Sequence, residues 1–399
     1  MKPFRTVALA AAIVAAMPAP ASAIPAWARR YNMNCSGCHL PTVPRLNRTG
    51  LRFKWAGYRM PDDIGEKVEV AKIDNYIAMR AIVEHSYART QGAPADVSST
   101  SASSASLYVA GPFGTNYGGF FEFERTPDGA VDLVGQVVGV WGKEDGFWGL
   151  RAGQGHMIVG GAVAGFDRPT GILAPLPLSS PVAQGVPFRL TGDIAGAEAF
   201  YVAGGFSRTS VQVVNSVTAG SGEEMSGPPA TTQDFVLTNQ LLWDDVGSGV
   251  TAVGYFGQVK GLSESKPDLS SRYTRFGISA NKFAGPFEVQ AGYVFGSNTS
   301  LPTGSGSEFS SSSLSGGGYW IGGAYIQPKT YWTSYGRFEF VDPNRDVAAD
   351  GTSRVVFGSL LPVGAPEYLR VGLEYFLDSP EKAGDPRREG ITLQLHVAF

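Results

Sequence analysis

Residues 368–377 read YLRVGLEYFL and residues 391–399 read ITLQLHVAF. Leu369, Val371, Leu373, Tyr375 and Leu377 alternate with Tyr368, Arg370, Gly372, Glu374 and Phe376. Ile391, Leu393, Leu395, Val397 and Phe399 alternate with Thr392, Gln394, His396 and Ala398. A period of two puts each apolar set on one face of a strand and the polar or smaller set on the other.

Working back toward the amino terminus, similar runs recur near 73–89, 103–112, 116–126, 131–142, 146–157, 195–206, 207–217 and 233–244. They continue near 249–261, 271–282, 286–296, 317–328, 330–341 and 352–360. This makes about sixteen strands of roughly ten residues, the length that crosses an outer membrane when tilted. Between them, tight turns such as Pro112-Phe113-Gly114, Gly142-Lys143-Glu144 and Ala284-Gly285-Pro286 alternate with longer polar connections, as in a membrane barrel whose amino-terminal segment enters from the periplasmic side, with the tight turns periplasmic and the long connections external. Pro127-Asp128-Gly129 is a short exception among the long connections. The longest, 158–192, is expected to fold into the lumen as a constriction loop or lid, and the Ser-rich runs 98–106 and 309–315 to be loop tips. Trp141, Trp148, Tyr319, Trp320, Tyr331 and Trp332 suit the interfacial girdles.

The composition agrees with a mainly β transmembrane barrel of about sixteen antiparallel strands. Of 399 residues only 17% are charged, while there are 52 Gly, 23 Phe, 16 Tyr and 7 Trp. A mean hydropathy near zero excludes a polytopic helical membrane protein. A formal charge of -3 gives no electrostatic case for nucleic acid, and two cysteines cannot support a disulfide scaffold.

The amino-terminal end is of another kind. Lys2 and Arg5 precede an apolar run from Val7 to Ala16, and Ala21-Ser22-Ala23 closes it, so residues 1–23 are read as an export signal. Residues 24–70 form a separate segment ahead of a barrel assigned to 71–399. Both cysteines fall in Cys35-Ser36-Gly37-Cys38-His39, the C-x-x-C-H pattern of covalent haem attachment. Thiols three residues apart reach the two vinyl groups of one haem edge, and His39 follows as proximal iron ligand. Zinc would need further ligands that no other Cys supplies, and a thioredoxin-like pair would not need His39. The cofactor expected is one haem c, held by a short helical segment too small to shield it, with the barrel lumen as the remaining wall.

Met60, at the end of Gly57-Tyr58-Arg59-Met60-Pro61, is the favoured sixth iron ligand. An imidazole from His85, His156 or His396 and an open position are the alternatives. Met33 is read as packing against the motif, and His85 shares strand parity with Met79 and Val83, so it is expected to look outward.

Ala28-Arg29-Arg30-Tyr31-Asn32-Met33-Asn34-Cys35, then Cys38-His39, Pro44-Arg45-Leu46-Asn47 and Gly57-Tyr58-Arg59-Met60-Pro61, ahead of a barrel, resembles the outer-membrane porin-cytochrome c fusion family. The close resemblance covers residues 24–66, and over the barrel it is one of architecture. It implies thioether attachment at Cys35 and Cys38, a proximal His39, and electron transfer across the outer membrane of a Gram-negative bacterium. The implied donor is extracellular, with Fe2+ foremost, and the acceptor a periplasmic cytochrome, which would make the chain an oxidoreductase of the Fe2+:cytochrome c type. A diffusion porin with a haem-c plug or redox sensor, or transfer outward to an extracellular acceptor, are the competing readings.

Overall fold

The computed structural model describes residues 26–40, 45–68, 72–125, 129–155, 170–180, 182–183, 190, 194–215, 233–260, 270–302, 309–363 and 369–398. The expected signal, residues 1–23, and His156 lie outside the described residues. The strands are β1 Ile77–Thr90, β2 Val97–Pro112, β3 Tyr117–Arg125, β4 Val131–Lys143, β5 Gly146–Gly155, β6 Ile194–Ala203, β7 Ser207–Asn215 and β8 Gln233–Leu242. They continue as β9 Gly249–Lys260, β10 Ser270–Ala284, β11 Phe287–Pro302, β12 Phe309–Ile326, β13 Thr333–Asp342, β14 Thr352–Val363, β15 Leu369–Pro380 and β16 Arg388–Ala398.

Each strand pairs antiparallel with its sequence neighbours, and β1 closes on β16 with Ala81 opposite Val397 and Tyr87 opposite Ile391. Closure leaves no edge strand, so the backbone groups of the wall are paired within it. The two faces differ as the alternation requires. Leu373, Ile391, Val83, Phe235, Ile278, Val289, Ile321 and Phe357 are among large apolar side chains exposed on the outer face. Arg370, Glu374, Thr392, Gln394 and His396 are buried on the inner one. An apolar belt on every side is what hydrocarbon solvates and water does not.

Several details depart from the sequence reading. The first strand begins at Ile77, because Ile73–Asn75 form a 3-10 turn around Asp74-Asn75, both turn formers. The Ser-rich runs are strand. Ser98 lies opposite Tyr87 and Ser313 opposite Thr299, so pairing along long neighbours overrides a weak local propensity. Trp320 is 1% exposed and belongs to the lumen, not to a girdle, since it alternates with outward Tyr319. Trp148, Tyr319, Tyr331 and Trp332 do stand on the outer surface. His85 shares the outward parity of exposed Met79, Val83 and Tyr87, and its Nδ1 lies 2.7 Å from Thr100 Oγ1.

Two inserts pack against the inner wall of the lumen. The amino-terminal one contains helix α1 Ala26–Tyr31, a 3-10 turn Cys35–Gly37, helix α2 Arg48–Trp55 and a second 3-10 turn Pro61–Asp63. The other is the β5–β6 connection, whose described part includes the short helix α3 Leu176–Ser179. Leu178, Val182 and Leu190 pack there in one apolar cluster with Val236, Tyr255, Val294 and Trp320 of the inner wall.

Candidate functional site

The Cys35–Gly37 turn is built by short-range bonds. Cys38 N donates to Cys35 O at 3.1 Å and His39 N to the same carbonyl at 2.8 Å. Asn47 fastens this turn to α2. Its Nδ2 donates to Ser36 O and Gly37 O, each at 3.1 Å, while its Oδ1 caps α2 by accepting from Gly50 N at 3.0 Å. Its own N–H donates to Cys38 O at 2.9 Å. Gly50 then has to be glycine: a Cβ there would lie 2.2 Å from Cys38 O.

α2 stops at Gly57 and Tyr58, both with left-handed backbone (φ 77° and 61°), which turns the chain back past the motif toward Met60. Leu51, Phe53, Trp55, Ala56 and Tyr58 pack against Val138, Val140, Phe147, Phe200, Val202 and Leu242 of the inner wall. Each large apolar group buried here stabilises docking by roughly 1.5–3 kcal/mol. Approach to the wall is close at Gly118, where a Cβ would meet Gly57 O at 2.0 Å.

Arginines fix which end of the barrel receives the segment. Arg59 is fully buried and donates to Gly114 O at 2.9 Å, Tyr117 O at 2.6 Å and also Thr115 O, around the β2–β3 turn. Arg48 pairs with Asp245 at 2.7 Å in the β8–β9 turn, and Arg52 with Glu144 at 3.4 Å in the β4–β5 turn. All three turns are even-to-odd connections, so the segment sits at the end of the barrel where strand 1 begins. Trp27 Nε1 adds a bond to Ala110 O at 3.2 Å.

Between segment and wall lies a cavity of about 350 Å³. Cys35, Cys38, His39 and Met60, singled out from the sequence, all line it, and so does Met33. Met33 is stacked on the motif itself, its Cε 2.6 Å from where a Cβ on Gly37 would be, which is the packing role expected of it. His85 and His396 belong to the barrel and are not among the lining residues. Trp27, Tyr31, Phe53, Tyr58 and Phe120 form an aromatic lining: Trp27 stacks on Tyr58 at 5.7 Å and Tyr58 on Phe120 at 5.6 Å between centroids. Tyr31 Oη donates to Asp63 Oδ2 at 3.0 Å and accepts from Met60 N at 3.3 Å, which holds Met60 at the cavity.

Burial dominates the electrostatics. It pushes the Cys38 thiol up to about 11, leaving it protonated at neutral pH and unlike the activated thiolate of a redox-exchange pair. Burial, with Asp63 nearby, pushes Tyr31 up to about 12, and burial does the same for Tyr58. Among the described residues, no three His, Cys, Asp or Glu side chains are grouped to hold a metal ion. Cys35, Cys38 and His39 therefore do not converge as a zinc site. A thioether, an imidazole and two thiols around an aromatic cavity instead fit a haem c.

The barrel side of the cavity was not legible in the sequence. Arg80, Glu122, Glu124, Val134 and Gln136 line it from β1, β3 and β4, and Gln136 Nε2 donates to Tyr58 Oη at 2.8 Å. Strand parity marks them as inward, but every strand has inward residues and nothing local tells which of them meet the segment.

The long connection enters the lumen as expected, but its described residues do not cover this cavity. Ile172 N and Leu173 N donate to Glu374 at 2.8 and 2.9 Å, Leu176 N to Glu339 at 2.5 Å, and Arg337 donates to Thr170 O at 3.0 Å. It meets the amino-terminal segment through Arg45, whose Nη1 lies 2.8 Å from Thr170 Oγ1 and 2.6 Å from Glu288 Oε2. The described part is a lumen plug beside the segment, not a lid over the motif.

No family model matches the chain, and no curated protein does. Solved structures do. The anion-selective porin from Comamonas acidovorans superposes with a TM-score of 0.58 at 10% identity, covering 81% of this chain and 99% of the porin. The outer membrane channel DcaP of Acinetobacter baumannii gives 0.54 at 13%, covering 81% and 97%. The trimer form of OmpT from Vibrio cholerae gives 0.51 at 13%, covering 81% and 99%. The fold is that of outer-membrane porins, and the barrel from Ile77 to Ala398 is enough to account for the share covered.

Proposed function

We propose that this chain carries electrons across the outer membrane through one covalently bound haem c. It takes them from an extracellular donor such as Fe2+ and passes them to a soluble periplasmic cytochrome. The observation that carries this reading is that Cys35, Cys38, His39 and Met60 line a single aromatic cavity inside the barrel. When bound, a haem c supplies a one-electron iron couple, and a His/Met ligand set raises its potential.

The chain's own residues do the rest. Cys35 and Cys38 would hold the group by thioethers, and His39 and Met60 would offer an imidazole and a thioether to its iron. Trp27, Phe53, Tyr58 and Phe120 keep water from it, and Tyr31 fixes the Met60 backbone. Arg48, Arg52 and Arg59 hold the segment at the short-turn end, the periplasmic end in a barrel of this kind.

A second reading is a diffusion channel whose segment acts as a haem plug or redox sensor, and the likeness of the barrel to porins favours it. It predicts steady ion conductance in a planar bilayer with the segment in place. The apolar packing of both inserts against the inner wall narrows the lumen and supports the first reading. Anaerobic addition of Fe2+ to purified holoprotein, followed by haem absorbance, tests the first reading. The reduced spectrum is expected. Its absence across a range of pH would overturn iron as donor, and a protein without covalent haem would overturn the reading altogether.

A further inference from the structure

The cavity around the motif has two unlike walls. The segment contributes mostly apolar and aromatic groups, with Lys54 as its cation, whereas the barrel contributes Arg80, Glu122 and Glu124. Arg80 Nη2 donates to Ser104 Oγ at 3.1 Å and Ser106 Oγ at 3.0 Å, and pairs with Glu122 at 2.9 Å and Glu124 at 3.4 Å. Its guanidinium lies 5.5 Å from the Tyr108 ring centroid. The three charged side chains are 16%, 15% and 30% exposed.

This group is not what docks the segment. The bonds described for Arg80 all go to barrel side chains, whereas docking runs through Arg48, Arg52 and Arg59 at the turns. Two carboxylates against one guanidinium leave the barrel wall with one excess negative charge, which Lys54 balances from the segment side, so the cavity is negative at its barrel wall and positive at its segment wall. Charges beside an aromatic lining are screened less than charges in water. An iron that gains an electron loses one positive charge, so a negative wall favours its oxidised form.

We infer that this barrel wall sets the reduction potential of the haem held at Cys35 and Cys38, with Arg80 as the positioning residue that holds Glu122 and Glu124 against it. The inference rests on the haem reading above. It goes further in assigning the potential to the barrel, so that segment and barrel form one redox unit.

The experiment uses full-length protein purified in detergent. Covalent haem is measured first by pyridine haemochrome, and the midpoint potential then by spectroelectrochemical titration of wild type, E122Q/E124Q, R80Q and R80K. With an effective dielectric constant of about 20, a unit charge some 10 Å away changes the reduction equilibrium about tenfold. Tenfold is 59 mV for a one-electron couple. E122Q/E124Q is expected to raise the potential by at least that much, R80Q to lower it, and R80K to stay near wild type. A haem-loaded E122Q/E124Q protein that titrates with wild type overturns the inference, and this nearly isosteric pair decides it even if R80Q does not fold. A wild type without covalent haem overturns the haem reading and the inference with it, whereas unshifted potentials in loaded protein overturn the inference alone.

Discussion

The described residues of the amino-terminal segment and of the β5–β6 connection both fold into the lumen, and the barrel grips them differently. The connection is held mainly through its backbone by buried charge, with Glu339, Glu374 and Arg337 reaching Leu176, Ile172, Leu173 and Thr170. Its side chains then complete a dense apolar cluster around Trp320 and Tyr255. The amino-terminal segment reverses this arrangement. Its own arginines reach out to the barrel turns, its aromatics pack on one side, and on the other it stands back from β1, β3 and β4 to leave the cavity. An insert that only fills a lumen needs no such space. One that carries a group, as proposed above, needs residues to hold it, a rigid turn and a wall kept at a distance, and the segment offers two thiols, the Cys35–Gly37 turn and a cavity.

The comparison breaks most sharply at the attachment residues. C35A/C38A should abolish covalent haem completely, seen as loss of haem staining after denaturing electrophoresis, while the barrel still folds and the β5–β6 insert stays in place. Retained staining would remove the segment's distinction from the other insert.

The next largest effect is expected where the inserts meet. Arg45 and Glu288 are 2% and 0% exposed at the side chain, so R45M strands a buried carboxylate at a cost of about 3–5 kcal/mol. Hydrogen exchange should rise in both inserts together. A rise in only one would show that they are held independently.

A smaller effect of unusual sign is expected at Gly50. Replacing glycine by alanine inside a helix ordinarily stabilises by about 1 kcal/mol. Here the new Cβ would lie 2.2 Å from Cys38 O, and G50A should destabilise the segment by roughly 1–3 kcal/mol. The check is a lower melting temperature for the Trp27 and Trp55 environment with unchanged barrel melting.

The mildest change is Y31F, which removes the bond to Asp63 and the acceptor for Met60 N, worth about 1 kcal/mol. Tyr31 and Tyr58 are raised from 10.0 to about 12 in the fold. Their contribution to docking is therefore complete below about pH 10 and lost as pH rises through about 12. An alkaline titration should detach the segment over that window, with Y31F showing a smaller pH-dependent loss. The β5–β6 insert should be untouched, because buried carboxylates and Arg337 hold its backbone.

Much of this architecture was readable from the chain. All sixteen strands fall close to the runs read from alternation, since a wall with lipid on one side and lumen on the other imposes a period of two. The errors share a cause. The Ser-rich runs 98–106 and 309–315 lie at strand ends where local composition says loop, and a neighbour strand supplies the hydrogen bonds that say otherwise. Trp320 has the composition of a girdle residue, and only its partners in the lumen assign it to the inner face.

For the site, Cys35, Cys38 and His39 were legible because a C-x-x-C-H spacing of a few residues survives in one dimension, and Met60 was singled out by its place in the same segment; all four line the cavity. Arg80, Glu122, Glu124 and Gln136 were not. They lie far along the chain from the motif, on strands where inward charge is ordinary. The sequence by itself determined the strand count, the lipid face and the C-x-x-C-H turn, all of which follow from short-range periodicity and bonding. Entry of the segment at the short-turn end already follows from the loop alternation; only the tertiary structure decided which turn residues its arginines reach, which inner-wall charges face its cavity, and that the long connection packs beside it. Those outcomes depend on barrel closure, which brings residues distant along the chain to one side of a common lumen.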